Sequence, residues 1–189
     1  HCTCRRQRQM CIRDRIIPSD DKRINSLLEI VKEREFQGYS YDGAGASFEI
    51  LAKNILDAVP TFFSVENFEV TISGKKDEHS LSKAKISLNV DNRIINSVGE
   101  GNGPVNALDN ALRKDLGIYN EYIQDLVLLD YKVRILDGGT EAITRVVIES
   151  SDSNNQSWFT VGISTNIIEA SFEALMDSIN YKLLKSGIK

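Results

Sequence analysis

Hydrophobic residues in the first third of the chain recur every three or four positions, which is the period of amphipathic helices. Two such stripes precede Gly38 and Pro60, residue types that end helices. The first stripe consists of Ile24, Leu27, Leu28 and Val31, and the second of Phe48, Leu51, Ala52, Ile55 and Leu56. The pattern predicts two short helices. Neither can bury its stripe alone, so we expect both to pack on another part of the complete protein.

From Thr61 onward, the pattern changes to alternating positions rich in β-branched and aromatic residues, which is typical of strands. Residues 75–82 are predicted to form a hairpin and Asp91–Asn92 a tight turn. Strands are predicted over 65–74, 83–98, 125–136, 141–150 and 157–163, and helices over 104–116 and 166–185. Gly117 is expected to close the first of these helices.

An internal repeat relates the two halves of this strand-rich region. Residues 98–108 (VGEGNGPVNAL) are matched without a gap by residues 161–171 (VGISTNIIEAS), 63 positions later. Each copy consists of three strands followed by a helix, which predicts an α+β domain in which antiparallel sheet is covered on one face by two helices. The other face would need a partner, so we expect a homodimer. Only the first copy contains a Gly-x-Gly-Pro turn.

The first fifteen residues differ in composition from the rest. The string 5–15 (RRQRQMCIRDR) is similar to the translated read-through of a sequencing-library adapter, so we expect residues 1–15 to be disordered and exclude them from fold prediction. All three cysteines, Cys2, Cys4 and Cys11, lie there. Cys2 and Cys4 are spaced like metal ligands, but no second ligand pair follows them. We therefore expect no metal site and no thiol chemistry.

Charge and hydropathy argue against two classes of partner. The chain has a formal net charge of −4, and the part after residue 15 has −8. A nucleic-acid-binding protein needs a concentrated basic surface. No apolar run approaches the roughly 18–20 residues of a membrane span, and the N-terminus has no apolar centre like that of a signal peptide. We expect a cytoplasmic domain that binds neither nucleic acid nor a membrane.

The Gly-x-Gly-Pro turn is the candidate binding feature. A glycine-rich turn at a helix start collects backbone N–H groups at the positive end of the helix dipole, where a carboxylate or phosphate can bind. Gly101, Gly103 and Pro104 fit this description. They fit an ordinary tight entry into a helix equally well, and their spacing leaves both interpretations open. The turn is neither a Walker loop nor a dinucleotide fingerprint.

Candidate catalytic residues are scarce. His79 is the only histidine after residue 15, and it falls in a charged hairpin typical of a solvated loop residue. Without a usable histidine, no serine can be combined with a base into a nucleophilic set. Asp42 and Asp130 fit turn and strand-edge positions better than a paired acid and base. Trp158 fits core or interface packing. The sequence therefore indicates a domain without catalysis.

Five motifs occur together in the order found in one enzyme family. They are residues 38–49 (GYSYDGAGASFE), 101–109 (GNGPVNALD), 130–136 (DYKVRIL), 144–150 (TRVVIES) and 160–171 (TVGISTNIIEAS). Together they closely resemble the C-terminal half of the citramalate synthase family, which is related to the 2-isopropylmalate synthases. The resemblance runs from about residue 20 to residue 185.

The resemblance implies a domain organisation. In this family, an N-terminal TIM barrel with a divalent metal acts as an acyltransferase, condensing acetyl-CoA with pyruvate on the way to isoleucine. That barrel has no counterpart here, so the chain alone should be inactive. Residues 16–60 would form the helical connecting subdomain and residues 61–189 the regulatory (allosteric, dimerisation) domain. Such a domain dimerises and binds the end-product amino acid: isoleucine in citramalate synthases, leucine in 2-isopropylmalate synthases.

The resemblance also implies positions for this effector. Gly101, Asn102 and Gly103 would hold its polar end, with Val105 close by. Its aliphatic side chain would contact Leu128, Tyr131, Ile135, Ala142 and Thr144, and Ile167 would close the pocket from the second repeat. The alternative for these apolar residues is plain core packing. Gly45 replaces a glutamate usual in the family, which puts in doubt any contact from this subdomain to the active site.

Four functions are therefore compared. The first is an isoleucine-sensing module of a citramalate synthase, and the second is a leucine-sensing module of a 2-isopropylmalate synthase. The third is a dimerisation module without a ligand, and the fourth is a nucleic-acid-binding α+β domain. The strings at 41–49 and 130–136 favour the first over the second. The acidic charge opposes the fourth.

Overall fold

The computed structural model describes residues 22–56, 62–74, 80–136, 139 and 142–188. Its helices are α1 (Lys22–Phe36), α2 (Gly45–Leu56), α3 (Pro104–Lys114), α4 (Asn120–Ile123) and α5 (Ile167–Lys185). Its strands are β1 (Phe63–Ser73), β2 (Leu81–Val90), β3 (Arg93–Gly101), β4 (Val127–Ile135), β5 (Thr144–Ser151) and β6 (Ser157–Ser164). The predicted disordered segment 1–15, the predicted boundary at residues 60 and 61, and His79 lie outside the described residues.

The six described strands form two antiparallel sheets, one in each copy of the repeat, with β2 and β5 in the centres. Asp91 and Asn92 connect β2 to β3 with φ angles of 50° and 59°, the backbone of a two-residue hairpin. The pairing shifts at corresponding places, after Val65 in β1 and after Leu128 in β4. The predicted α+β fold of two β-β-β-α repeats is confirmed, and its strands belong to two sheets.

Glycines at equivalent positions let each helix lie close to its sheet. A Cβ on Gly99 would lie 2.5 Å from the carbonyl oxygen of Ala107 in α3. A Cβ on Gly162 would lie 2.0 Å from the carbonyl oxygen of Ala170 in α5. No larger residue fits at either position without moving the helix. The repeat has therefore kept the same close approach of strand and helix in both copies.

The predicted elements differ from the observed ones mainly between the two repeats. Helix α3 ends at Lys114 rather than 116, and Gly117 does not close it. Gly117, with a φ of 58°, instead begins a 3-10 turn over Gly117–Tyr119. The short helix α4 follows and has no counterpart among the predicted elements, because four residues are too few to show a period.

Both repeats contribute to one hydrophobic core. Its fully buried members include Ile86, Leu88, Leu108, Leu112, Val146, Ile148, Leu175 and Ile179. Phe68 of β1 contacts Phe172 of α5, with ring centroids 4.6 Å apart. The helix of the second repeat therefore also packs on the first sheet. Trp158 lies in this core, and its Nε1 donates to the hydroxyl of Ser178 at 3.3 Å.

The helices α1 and α2 pack on the outer face of the second sheet. Leu27 and Leu51 form a second buried cluster with Val161 of β6, and half-buried Val147 packs against it. The partner expected for the two apolar stripes is therefore the second sheet of the same chain. None of the described helices combines the length and hydropathy that crossing a membrane requires.

The outer face of the first sheet is exposed and charged. Lys83 pairs with Glu100 at 3.2 Å, and Lys85 with Glu69 at 3.3 Å. The second sheet is covered on both faces by helices of the same chain, whereas these charged side chains solvate the outer face of the first sheet. The homodimer expected from an uncovered sheet face stays a prediction.

Candidate functional site

The Gly-x-Gly-Pro turn connects the end of β3 to the first residue of α3. Gly103 occupies the N-cap position with an extended backbone, and no side chain caps the helix. In the second repeat, by contrast, Asn166 caps α5 by accepting a hydrogen bond from the N–H of Ile168 at 2.9 Å. The start of α3 therefore lacks the acceptor that a capping side chain supplies, and it is the positive end of a helix dipole.

The two glycines of the turn have different roles. A Cβ on Gly101 would lie 2.4 Å from Asn106 Oδ1 and 2.7 Å from the nitrogen of Ala107. Gly101 is thus needed for the tight entry into the helix. A Cβ on Gly103 would meet nothing within 4 Å. The fold does not require glycine at position 103, so the open space beside it is available to a ligand.

Most of the predicted apolar residues gather near the start of α5. Ile135 and Thr144 lie directly opposite each other in β4 and β5, and Thr144 is also opposite Ser164, the last residue of β6. The hydroxyl of Tyr131 lies 2.7 Å from that of Ser171 in α5. Ile135 is 66% exposed, so core packing does not explain it.

The remaining predicted residues vary in exposure. Ile167 is 45% exposed at the first position of α5. Ala142 is half-buried just before β5. Leu128 and Tyr131 pack against the core. For these last two residues, the alternative of core packing fits at least as well as a binding role.

The predicted site residues fall into two groups, one in each repeat. Gly101, Asn102, Gly103 and Val105 belong to the first repeat, and the apolar residues from 128 to 167 belong to the second. Helices α3 and α5 are in contact. No hydrogen bond or ring contact between described residues joins the two groups. The two groups therefore belong to different repeats, and members of both pack against the same hydrophobic core.

The repeat indicates two further candidate site residues, Ile72 and Ser82, that the sequence motifs do not include. Ser82 lies opposite Ile72 in β1 and opposite Gly101 in β3. Thr144 lies in the same way opposite Ile135 and Ser164. Ile72 and Ser82 thus occupy, beside the glycine turn, the positions that Ile135 and Thr144 occupy in the second repeat. Extending the 63-residue match back to the first strand of each copy would have paired Ile72 with Ile135. Ser82 and Thr144 are 62 positions apart, so only the strand pairing relates them.

Glu173 of α5 joins the second repeat to the connecting helices. Its Oε2 accepts a hydrogen bond from the N–H of Ile163 in β6 at 2.8 Å. Its Oε1 accepts one from the hydroxyl of Tyr39, just before α2, at 2.5 Å. The equivalent residue in the first repeat, Asn110, bonds only to the edge strand, donating to the carbonyl of Glu100 at 2.8 Å. The connecting segment therefore docks on the second repeat.

The region where the second repeat contacts the connecting helices, called the joint below, also contains a largely buried carboxyl group. The N–H of Val161 in β6 donates to the hydroxyl of Ser47 in α2 at 3.0 Å. Asp177 of α5 lies beside this hydroxyl, and burial raises the pKa of its carboxyl to about 7, against a smaller lowering by the Ser47 hydrogen bond. The nearby carboxylate of Glu173 raises the same pKa further, and the Arg34 guanidinium lowers it. This joint therefore contains a group that titrates near neutral pH.

The two aspartates considered as acid and base do not have that character. Asp42 is exposed in the 3-10 turn Tyr41–Gly43. Asp130 lies 2.5 Å from the ammonium of Lys132 and accepts from the N–H of Tyr131 at 2.8 Å. Both contacts lower the pKa of Asp130 and keep it ionised, with Lys132 contributing most. A carboxylate held in this way is a poor proton donor.

Comparison with known proteins places the chain in context. Residues 43–183 match the family model of the LeuA allosteric (dimerisation) domain. The chain is 48% identical over 163 residues to the (R)-citramalate synthase of Geobacter sulfurreducens, covering 85% of this chain and 31% of the relative. It is 41% identical over 172 residues to that of Streptomyces coelicolor, covering 89% and 32%.

A more distant relative has a related name. The chain is 32% identical over 130 residues to the 2-isopropylmalate synthase of Ruminiclostridium cellulolyticum, covering 69% of this chain and 23% of the relative. The chain spans about a third of the length of the two (R)-citramalate synthases. The similarity therefore concerns one region of longer enzymes.

Proposed function

Because this chain belongs to the LeuA allosteric (dimerisation) domain family, we propose that it is the regulatory region of an (R)-citramalate synthase and binds isoleucine as a feedback inhibitor. The relatives support this enzyme over a 2-isopropylmalate synthase, since the identities are 48% and 41% against 32%. In this proposal, the condensation of acetyl-CoA with pyruvate takes place in a metal-dependent barrel elsewhere in the polypeptide. The present chain supplies the regulation.

The observation that carries the ligand proposal is the uncapped start of α3. The carboxylate of a free amino acid is the kind of acceptor that such a helix start favours. Gly103 leaves space for it, because no atom lies within 4 Å of its Cβ position. The second repeat has no comparable opening at its helix start, where Asn166 already accepts from the N–H of Ile168. We therefore assign the polar end of the effector to the first repeat.

The aliphatic side chain of the effector requires an apolar wall, and the second repeat offers one. Ile135 and Ile167 are 66% and 45% exposed, and Val133 beside them is 42% exposed. Burying such a side chain contributes about 1.5–3 kcal/mol. In a homodimer, these residues would be covered, and the wall of one copy could face the glycine turn of the other. The proposed site is then completed by dimerisation.

A conformational change caused by effector binding would be transmitted through β6 and Glu173. The strand β6 ends at Ser164, directly opposite the wall residue Thr144. One residue earlier, the N–H of Ile163 donates to Glu173, whose other oxygen receives the Tyr39 hydroxyl. A shift of the wall would therefore act on the connecting helices through Glu173, together with the hydrogen bond from Val161 to Ser47. Allosteric coupling between an effector site and a second site requires such a physical link.

The choice of amino acid is the direct test of this proposal. Isoleucine and leucine are isomers, so buried area cannot separate them and the shape of the wall must. We expect calorimetric titration of residues 16–189 to give binding heat with isoleucine and none with leucine at the same concentration. Heat with leucine alone would favour the 2-isopropylmalate synthase alternative, which the relative at 32% identity suggests. Absence of binding heat with both amino acids would favour a dimerisation module without a ligand.

A bulky residue at position 103 is expected to block the site while sparing the fold. Gly103 has an extended backbone and free space around its Cβ, so Gly103→Leu can fold, but its side chain fills the space proposed for the effector. We expect isoleucine affinity to fall at least tenfold, about 1.4 kcal/mol or more, with the dimer unchanged in analytical ultracentrifugation.

The matched control is Gly45→Leu. Gly45 is also exposed, with nothing within 4 Å of its Cβ position, but it lies at the start of α2. This variant should bind isoleucine like the unmodified chain. Undiminished affinity in Gly103→Leu would contradict the location of the site at the start of α3.

A further inference from the structure

Two serine hydroxyls in the first sheet are buried without a hydrogen-bond partner, which is unusual. Ser82 is 0% exposed and Ser97 is 3% exposed. Among the described residues, only these two have buried side-chain oxygen or nitrogen atoms with no partner. A buried hydroxyl loses its bonds to water on folding and normally regains them inside the protein. An unpaired one therefore requires an explanation.

The position of Ser82 offers one. Ser82 lies directly opposite Gly101 in the pairing of β2 with β3, so both project from the same face of the sheet. The Cβ direction of Gly101 leads to the first turn of α3, where Ala107 N would be 2.7 Å away. The unpaired hydroxyl therefore belongs to the face of the sheet on which the uncapped helix start lies. Ser97 lies opposite Ile86, further along the sheet.

The repeat supports the same assignment independently. Thr144, which the family resemblance assigns to the effector pocket, occupies the corresponding position in the second repeat. Both residues begin the buried row of their central strand, and both carry a hydroxyl. Each faces an exposed isoleucine, Ile72 beside Ser82 and Ile135 beside Thr144.

We propose that Ser82 is an effector-binding residue whose hydroxyl donates a hydrogen bond to the carboxylate of an α-amino acid held at the start of α3. This inference rests on the proposed function and adds a residue to its site. Ser82 is 0% exposed, so a ligand must first displace what covers it. The segment next to it is the turn from Gly101 to Gly103, and movement of this turn would couple binding to a change of conformation.

The test compares two single-hydroxyl deletions. In Ser82→Ala, we expect isoleucine affinity measured by calorimetry to fall about tenfold, because a hydrogen bond to a charged group is lost. The thermal midpoint without ligand should not fall, since the hydroxyl has no partner in that state. Ser97→Ala is the matched control. It removes the other unpaired hydroxyl and should leave affinity unchanged.

A second pair of variants keeps the test valid if alanine disturbs the fold. Ser82→Thr retains the hydroxyl, as Thr144 does in the second repeat, whereas Ser82→Val replaces that hydroxyl with a methyl group of similar size. We expect the threonine variant to bind isoleucine at least about tenfold more tightly than the valine variant.

The outcomes separate the two proposals. Equal affinity in Ser82→Ala and the unmodified chain would overturn the role of Ser82 and leave the proposed function standing. Equal loss in Ser82→Ala and Ser97→Ala would also overturn it, because the loss would then reflect general loosening of the sheet. Absence of isoleucine binding in the unmodified chain would remove both proposals together.

Discussion

Replacing Lys182 with methionine is expected to destabilise the folded chain by about 1.5–3 kcal/mol, the usual contribution of a hydrogen bond to a charged group. The ammonium of Lys182 lies 3.0 Å from a carboxylate oxygen of Asp125 and 3.0 Å from one of Asp152. The Lys182 and Asp152 side chains are only 8% and 7% exposed. Methionine fills the space of the lysine stem but leaves Asp152 buried without its cation. Chemical denaturation at neutral pH measures the difference.

The control for this change is Lys185→Met, one turn of α5 further on. Lys185 is 40% exposed and 3.4 Å from Glu49, so its loss should cost less than about 1 kcal/mol. A comparable decrease in the free energy of unfolding in both variants would show that the methionine itself, rather than the loss of the buried charge, causes the destabilisation.

The same ion triad predicts how the fold responds to acid. Hydrogen bonding from Ser153 and from Lys182 lowers the pKa of Asp125 to about 2, and the Lys182 hydrogen bond also lowers that of Asp152 against its burial. A lowered carboxyl pKa stabilises the fold above the unfolded value of about 4, and this stabilisation is lost as the pH falls toward 2. The difference in the free energy of unfolding between the unmodified chain and Lys182→Met should therefore shrink as the pH falls from about 4 toward 2.

One strand from each repeat shows what the sequence could predict about burial. In β2, residues from Ser82 to Val90 alternate strictly between buried and more exposed positions, so their sequence indicates a sheet with one face in water. In β6, Trp158–Ile163 is nearly continuous in apolar residues, which is the signal of a strand buried on both faces. That signal marks the outer face of the second sheet as covered. It cannot identify α1 and α2 as the cover, because a stripe shows that a face is buried and not what buries it.

The candidate site was predictable in part. The motif drew attention to Gly101 and Gly103 together, and only the three-dimensional structure separates the packing role of Gly101 from the open position of Gly103. Ser82 is an ordinary serine in an alternating strand, and nothing in its neighbours indicates that its hydroxyl has no partner. That property depends on the atoms around it, which come from β1, β3 and α3.

Asp177 provides the second large prediction, because it places an ionisable group in the joint between the second repeat and the connecting helices. The groups around it are Ser47 of α2, Glu173 of α5, Arg34 of α1 and Tyr41 of the connecting turn. Burial is the largest influence and raises the carboxyl pKa from 3.8 to about 7. Each pKa unit is worth about 1.4 kcal/mol, so ionising this carboxyl inside the fold costs on the order of 4 kcal/mol.

The sign of the pH dependence follows from which state keeps the proton. Below about pH 4, Asp177 is protonated in both the folded and the unfolded chain, and its titration has no effect on stability. Between about pH 4 and pH 7, the unfolded chain releases this proton while the folded chain retains it. The free energy of unfolding therefore falls as the pH rises through this interval, and the loss is complete once the folded carboxyl has also ionised above about pH 7.

Asp177→Asn should remove this loss, because the amide has nearly the same shape and remains neutral at every pH. We expect the variant to match the unmodified chain near pH 4 and to exceed its free energy of unfolding by several kcal/mol at pH 8, measured by chemical denaturation at both values. Asp109→Asn, on the more exposed first-repeat helix, serves as control and should not reproduce the difference. Equal destabilisation of Asp177→Asn at both pH values would contradict this prediction. The carboxylate would then be ionised and required in the fold, so the joint would contain a fixed charge rather than a carboxyl group that loses its proton near neutral pH.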